Sequence, residues 1–214
     1  MPEISILPSG GCDDDDRDGK RGKRGKRGKR GHTGHTGPAG TTGASAIIPF
    51  ASGTPNALVH VLGGLEDTGS VIAFGTSTED VAVNGTTVDL SGGVGVALNM
   101  AFSMPRDGTL TQLSAFFSSV AAVTITDGST ALVVVQVYRS TTPNNIFTAV
   151  PGALVTLPFP AGLISIGTLE SGNATFSVPV SAGDRLLLVA RLTVTGTDIV
   201  TTLTGYVSAG LAIA

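Results

Sequence analysis

From residue 44 onward the chain is a succession of apolar or alternating runs, each closed by Gly, Pro, Asn or Asp. Short runs of this kind, rich in Val, Ile, Thr and Phe, predict strands. Ten are read: NALVHVL (56–62), SVIAFG (70–75), TTVDL (86–90), VALNMAFS (96–103), TLTQLSAFFS (109–118), ALVVVQVYRS (131–140), ALVTLP (153–158), ATFSVPV (174–180), RLLLVARLTV (185–194) and LTGYVSAGLAI (203–213). PRDG (105–108), TDGS (126–129), TPNN (142–145) and SAGD (181–184) have the residues that reverse a chain. No stretch sustains a 3.6-residue period. The set predicts an all-β antiparallel jelly-roll sandwich over residues 44–214. ALVVVQV and RLLLVARL are apolar on both faces. One face serves the core, and the other is expected to lie under a neighbouring subunit. Strands 131–137, 186–192 and 206–213 are the expected inter-subunit contacts.

Upstream the pattern changes to a period of three. Glycine occupies Gly19, Gly22, Gly25, Gly28, Gly31, Gly34, Gly37, Gly40 and Gly43 without a miss. Three polyproline II chains wind together only where glycine takes each third place, because no side chain fits at the crowded axis. Residues 19–43 therefore read as a short collagen-like stalk with those nine glycines on the axis. Four of the triplets are Gly-Lys-Arg, and Pro38 is the single proline of the tract. Alone such a tract resists winding through its own repulsion; attached to a trimerising domain it is held at high effective concentration. A second reading keeps the basic tract disordered and lets it bind polyanions by counterion release. Nucleic-acid recognition is disfavoured, since no aromatic residue interleaves the charges and no reading element follows.

Charge separates these zones. Residues 13–30 carry nine Lys or Arg against five Asp, whereas residues 44–214 carry four Arg against ten carboxylates. Fourteen charges over 171 residues is about 8 %, far below the roughly 25 % of ordinary soluble domains. A domain so poor in charge is expected to hide surface in an oligomer. Residues 1–18 form a leader with an apolar patch (Ile4, Ile6, Leu7), PSGG, and the acidic run CDDDDRD. It reads as a solvated spacer or as a docking tag for a support. No secretory signal and no membrane span are predicted. The single Cys12 excludes an intramolecular disulfide and stands as an intermolecular crosslink candidate. Thr33, Thr36, Thr41 and Thr42 would point outward from a triple helix and are O-glycosylation candidates.

Catalytic chemistry finds little support. The β domain has one histidine, His60, set between apolar neighbours and read as a core or interface residue. Asp107, Asp127 and Asp184 each stand beside a turn glycine, and Gly92, Gly93 and Gly95 open no helix. His32 and His35 in the stalk form too sparse a set to define a metal site. The expectation is a non-enzyme without cofactor or metal.

Several segments in combination resemble a known family: IIPFASG (47–53), FSMPRDGTLTQLSAFFS (102–118), YRSTTPNNIFTAVPG (138–152), SVPVSAGDRLLLV (177–189) and GYVSAG (205–210), placed after a collagen-like tract. They resemble the BclB-type exosporium glycoproteins of spore-forming bacilli. The resemblance implies a homotrimer with a C1q/tumour-necrosis-factor-like head on a collagen-like stalk. It further implies a place on the endospore surface, in the exosporium or an appendage, with the leader held by a spore-surface protein and no classical signal peptide. Family stalks are longer and richer in Gly-Pro-Thr. Two alternatives stand beside this reading: a ligand-binding, lectin-like adhesin head, and the tip of a collagen-containing phage fibre.

Overall fold

The computed structural model describes residues 22–31, 45–62, 67–92, 100–142 and 144–214. The chain divides between Gly40 and Thr41 into two units. In the first, residues 22–31 are neither helix nor strand, and every one is exposed. The second is built of strands alone. β1 (Ala46–Ala51), β2 (Asn56–Val61), β3 (Asp67–Ile72), β4 (Ser77–Asn84) and β5 (Thr87–Asp89) open it. β6 (Phe102–Ser103), β7 (Gly108–Ser119), β8 (Val123–Ile125), β9 (Thr130–Ser140) and β10 (Ile146–Phe159) follow. β11 (Gly162–Ile164), β12 (Leu169–Val180), β13 (Arg185–Thr195) and β14 (Val200–Ile213) complete it.

Every ladder between these strands is antiparallel, and the predicted all-β head is present. One sheet runs β1–β14–β7–β12, with β2 continuing along β14 where β1 leaves off. The other contains β10, β9 and β13 at its centre. The chain passes from β7 to β9 and β10, back to β12, then to β13 and β14, so it alternates between the layers as a jelly roll does.

The second sheet closes on itself. β13 pairs with β3, β3 with β4, β4 with β5, β5 with β10, and β10 with β9, which returns to β13. This ring corrects one expectation. Ala131, Val133, Val135 and Val137 of β9, with Leu186, Leu188 and Ala190 of β13, point into the main core between the layers. Tyr138, Leu187 and Val189 point the other way, into a second core with Val71, Val83, Val88 and Phe147. The far face of β13 at Leu187 and Val189, and of β9 at Tyr138, is thus covered by β3, β4 and β5 of the same chain. Strand alternation puts successive side chains on opposite faces, so a continuous apolar run needs two covers, and the ring supplies the second.

Antiparallel pairing fixes the ends of the sandwich. Ala46 faces Ile213, and the Ala214 amide donates to the Thr109 carbonyl at 2.9 Å, so β1 begins where β14 finishes. Turns 104–107 and 181–184 lie at that end, joined by the Gly183 amide donating to the Met104 carbonyl at 2.8 Å. At the opposite end the Ser129 hydroxyl accepts from the amides of Thr197 and Asp198, at 3.0 and 3.3 Å. Asp198 accepts in return from the Thr126 amide at 3.1 Å. Hydrogen bonding from Thr126, then Ser129, holds the Asp198 carboxyl below its ordinary value. A depressed carboxyl contributes stability above its unfolded pKa and loses it as pH falls through the folded one. Asp198→Asn should therefore lower the melting temperature slightly near neutral pH and make no difference at strongly acid pH, as read by thermal melts across the range.

Candidate functional site

The outward face of the β1–β14–β7–β12 sheet is the feature that composition hinted at and only register locates. Its side chains form cross-strand rows. One row is Ala51, Ser208, Phe116 and Ser171; the next is Pro49, Gly210, Ser114 and Asn173; a third is Ile47, Ala212, Gln112 and Thr175. Tyr206, Ser118 and Leu169 make a fourth. No outward position of these four strands, nor of β2, is charged. Glu170, the one charged residue among the five strands, has the opposite parity and pairs across to the buried Phe117.

Small side chains in the middle leave a shallow hollow of about 460 Å³ lined by Ser114, Phe116, Ser171, Asn173, Ser208 and Gly210. Around it Phe116, Tyr206, Leu169 and Ile47 stand 37 %, 43 %, 57 % and 71 % exposed. Phe74, also half exposed, stacks on Phe50 with ring centroids 5.5 Å apart, beside Ile47 at the β1 margin. An extended sheet face with large apolar side chains at its rim and no charge resembles the buried centre of a protein interface more than a solvated surface. The three strands expected to carry inter-subunit contacts are thereby re-sorted. Most of 131–137 and 186–192 is buried within the chain, with Leu132 and Arg191 partly exposed, and of 206–213 the outward set Tyr206, Ser208, Gly210 and Ala212 remains available.

Of the glycines expected on a triple-helix axis, Gly22, Gly25, Gly28 and Gly31 lie among the described residues. A Cβ built on any of the four meets nothing within 4 Å, and none has a positive φ. Neither crowding nor backbone conformation within one chain accounts for glycine at these places. Gly19, Gly34, Gly37, Gly40 and Gly43 lie outside the described residues, as do Cys12, Thr33, Thr36, Thr41, Thr42, His32 and His35.

The residues with chemical potential are used structurally. The His60 ring is partly buried on β2, opposite Thr201, and its Nε2 has no hydrogen-bond partner. Asp107 accepts from the Ala182 amide at 2.7 Å, and Asp184 from the Ser181 amide at 2.9 Å. Asp184 also faces Arg139 at 3.8 Å, while Asp127 sits in the 126–129 turn at the other end. Among the described residues no three His, Cys, Asp or Glu side chains converge on a point that could hold a metal ion. No described helix is long and apolar enough to cross a membrane.

The sequence is 40 % identical over 177 residues to Collagen-like protein 1 of Acanthamoeba polyphaga mimivirus. The chain resembles a collagen-like protein. The match takes in 78 % of this chain and 18 % of that protein, so the chain spans under a fifth of the length of the relative. No family model matches. The likeness supports a collagen-like protein with a β-rich head.

Proposed function

We propose that this chain is a homotrimeric structural protein in which the β head associates through its uncharged sheet face and a short Gly-X-Y stalk winds into a triple helix. The observation that carries the reading is the open space at Gly22, Gly25, Gly28 and Gly31. A glycine every third residue that one chain does not require is what a triple helix asks for, at an axis where any Cβ would collide. The uncharged face supports self-association from the other unit: a face meeting a different surface of the next copy closes into a ring when the rotation permits. Its role is mechanical and non-enzymatic, presenting a low-charge head on a rod. The quoted segments favour the endospore surface, exosporium or appendage, with adhesion as the use of the exposed head. That the relative is a viral collagen-like protein keeps a second setting in view for the same design, the tip of a collagen-containing phage fibre.

Sedimentation of the full chain tests this reading. Three chains of 21.4 kDa give about 64 kDa at micromolar concentration, and a species of 21.4 kDa overturns it. Gly28→Ala should keep the trimeric mass while weakening the triple-helical circular-dichroism band and lowering its melting temperature. A band that survives the change intact counts against an axial Gly28.

A further inference from the structure

We propose that the stalk is a binding site for a linear anionic polysaccharide, and that this ligand drives its winding. The inference rests on the trimeric reading. Lys23, Arg24, Lys26, Arg27, Lys29 and Arg30 fall within ten residues, and all are exposed. None is ion-paired with another described residue; the described ion pair, Arg139 with Asp184, lies in the head. At the roughly 3.1 Å rise per residue of polyproline II these ten residues span about 30 Å. One extended chain then carries a cation about every 5 Å. Three wound chains carry one about every 1.7 Å, the charge density of duplex DNA with the sign reversed.

Two consequences follow. Without a counter-polymer, winding forces these cations together within a screening length, so low salt opposes it. A polyanion that displaces the condensed small anions binds the wound rod more tightly than the separate strands. By mass action it then stabilises the wound form. Arginine in each triplet adds a planar fork that grips oxyanions by two parallel hydrogen bonds. Residues 19–31, the cationic part, contain no aromatic side chain on which a base could stack, so affinity comes from charge density and oxyanion hydrogen bonds, which favours a densely sulfated or carboxylated sugar chain over a single-stranded nucleic acid.

The test follows the triple-helical dichroism band of the full chain on heating, with sedimentation in the same buffers. Heparin is the probe; sodium sulfate and oligothymidylate at equal total charge are the comparisons. Heparin should raise the midpoint at low salt and sulfate should not. Heparin affinity should fall about 10³-fold between 50 and 200 mM salt, as roughly six paired charges require. Without heparin the midpoint should rise over the same range. The triple change Lys23→Gln, Lys26→Gln, Lys29→Gln should cut the heparin response while leaving the trimeric mass, and Arg24→Lys, Arg27→Lys, Arg30→Lys should keep most of it. A trimer whose midpoint heparin leaves unmoved overturns this proposal and spares the trimeric reading. Oligothymidylate matching heparin overturns the choice of polysaccharide. A chain that stays monomeric, with no triple-helical band in any buffer, removes both.

Discussion

Ser114→Arg should convert the chain from a species of about 64 kDa to one of 21.4 kDa, with its strand content intact. Ser114 lies in the row Pro49, Gly210, Ser114, Asn173, at the floor of the hollow and exposed in the single chain. The long cation can therefore point outward without disturbing the fold. In an assembly through this face it would be driven into a contact that is packed against a small neutral serine and holds no place for a long cation. An unpaired charge in such a place costs about 3–5 kcal/mol, two to four powers of ten in the association constant. The stalk should respond as well, since three strands no longer held together lose the high effective concentration that permits winding. Velocity sedimentation and the far-ultraviolet dichroism of the same sample read both effects. A Ser114→Arg chain that stays trimeric would move the contact to another surface.

Phe117→Ala should produce the largest loss of head stability. Its ring is fully buried in the main core and meets Phe159 edge-on, with centroids 5.6 Å apart. It also lies over Gly205 of β14, where a Cβ would fall 2.4 Å from the ring. Gly205 is thus the cavity wall against which Phe117 is seated. Truncation removes the apolar contact and leaves a void that the sheet backbones on either side can fill only in part. Large-to-small changes of this type cost about 3–5 kcal/mol, a large share of the roughly 5–15 kcal/mol that holds a domain folded. A denaturant midpoint near that of the parent chain would mean the site collapses far better than its packing indicates.

Much of the architecture was legible from the pattern of residues, and the failures have physical causes. β7, β9, β13 and β14 were read close to their observed spans, because continuous or alternating apolar runs bounded by turn residues admit few other structures. β4 was missed: STEDVAVN carries two adjacent acids, and Asp80 takes a positive φ of 55° that breaks the alternation. Without β4 the closing ring could not be inferred, and the doubly apolar strands looked as though they needed another subunit. β1 is absent from the ten predicted strands; it carries Pro49, which is tolerated because the strand lies at a sheet edge. β10 runs well beyond the predicted 153–158, because Pro151 and Gly152 form a bulge, with the register shifted between Ala149 and Leu154, and do not end the strand. Of the run 96–103, only Phe102–Ser103 is a strand among the described residues. The three-residue glycine period is legible in the sequence alone. The uncharged face did need the structure, since Ser, Gly, Ala and Thr declare no side, and only the cross-strand register gathers them into one surface.

The antiparallel pairing of β1 with β14 also decides where added sequence would travel. Any polypeptide joined after Ala214 leaves from the pole at which residue 46 starts, so a fused passenger would be carried back beside the incoming strand. A peptide grafted into the 126–129 turn would instead emerge at the antipode, with the Ser129 hydroxyl and the Asp198 carboxylate as the clamp to be preserved. For anyone using this head to display cargo, internal insertion and terminal fusion place it at opposite ends of the sandwich.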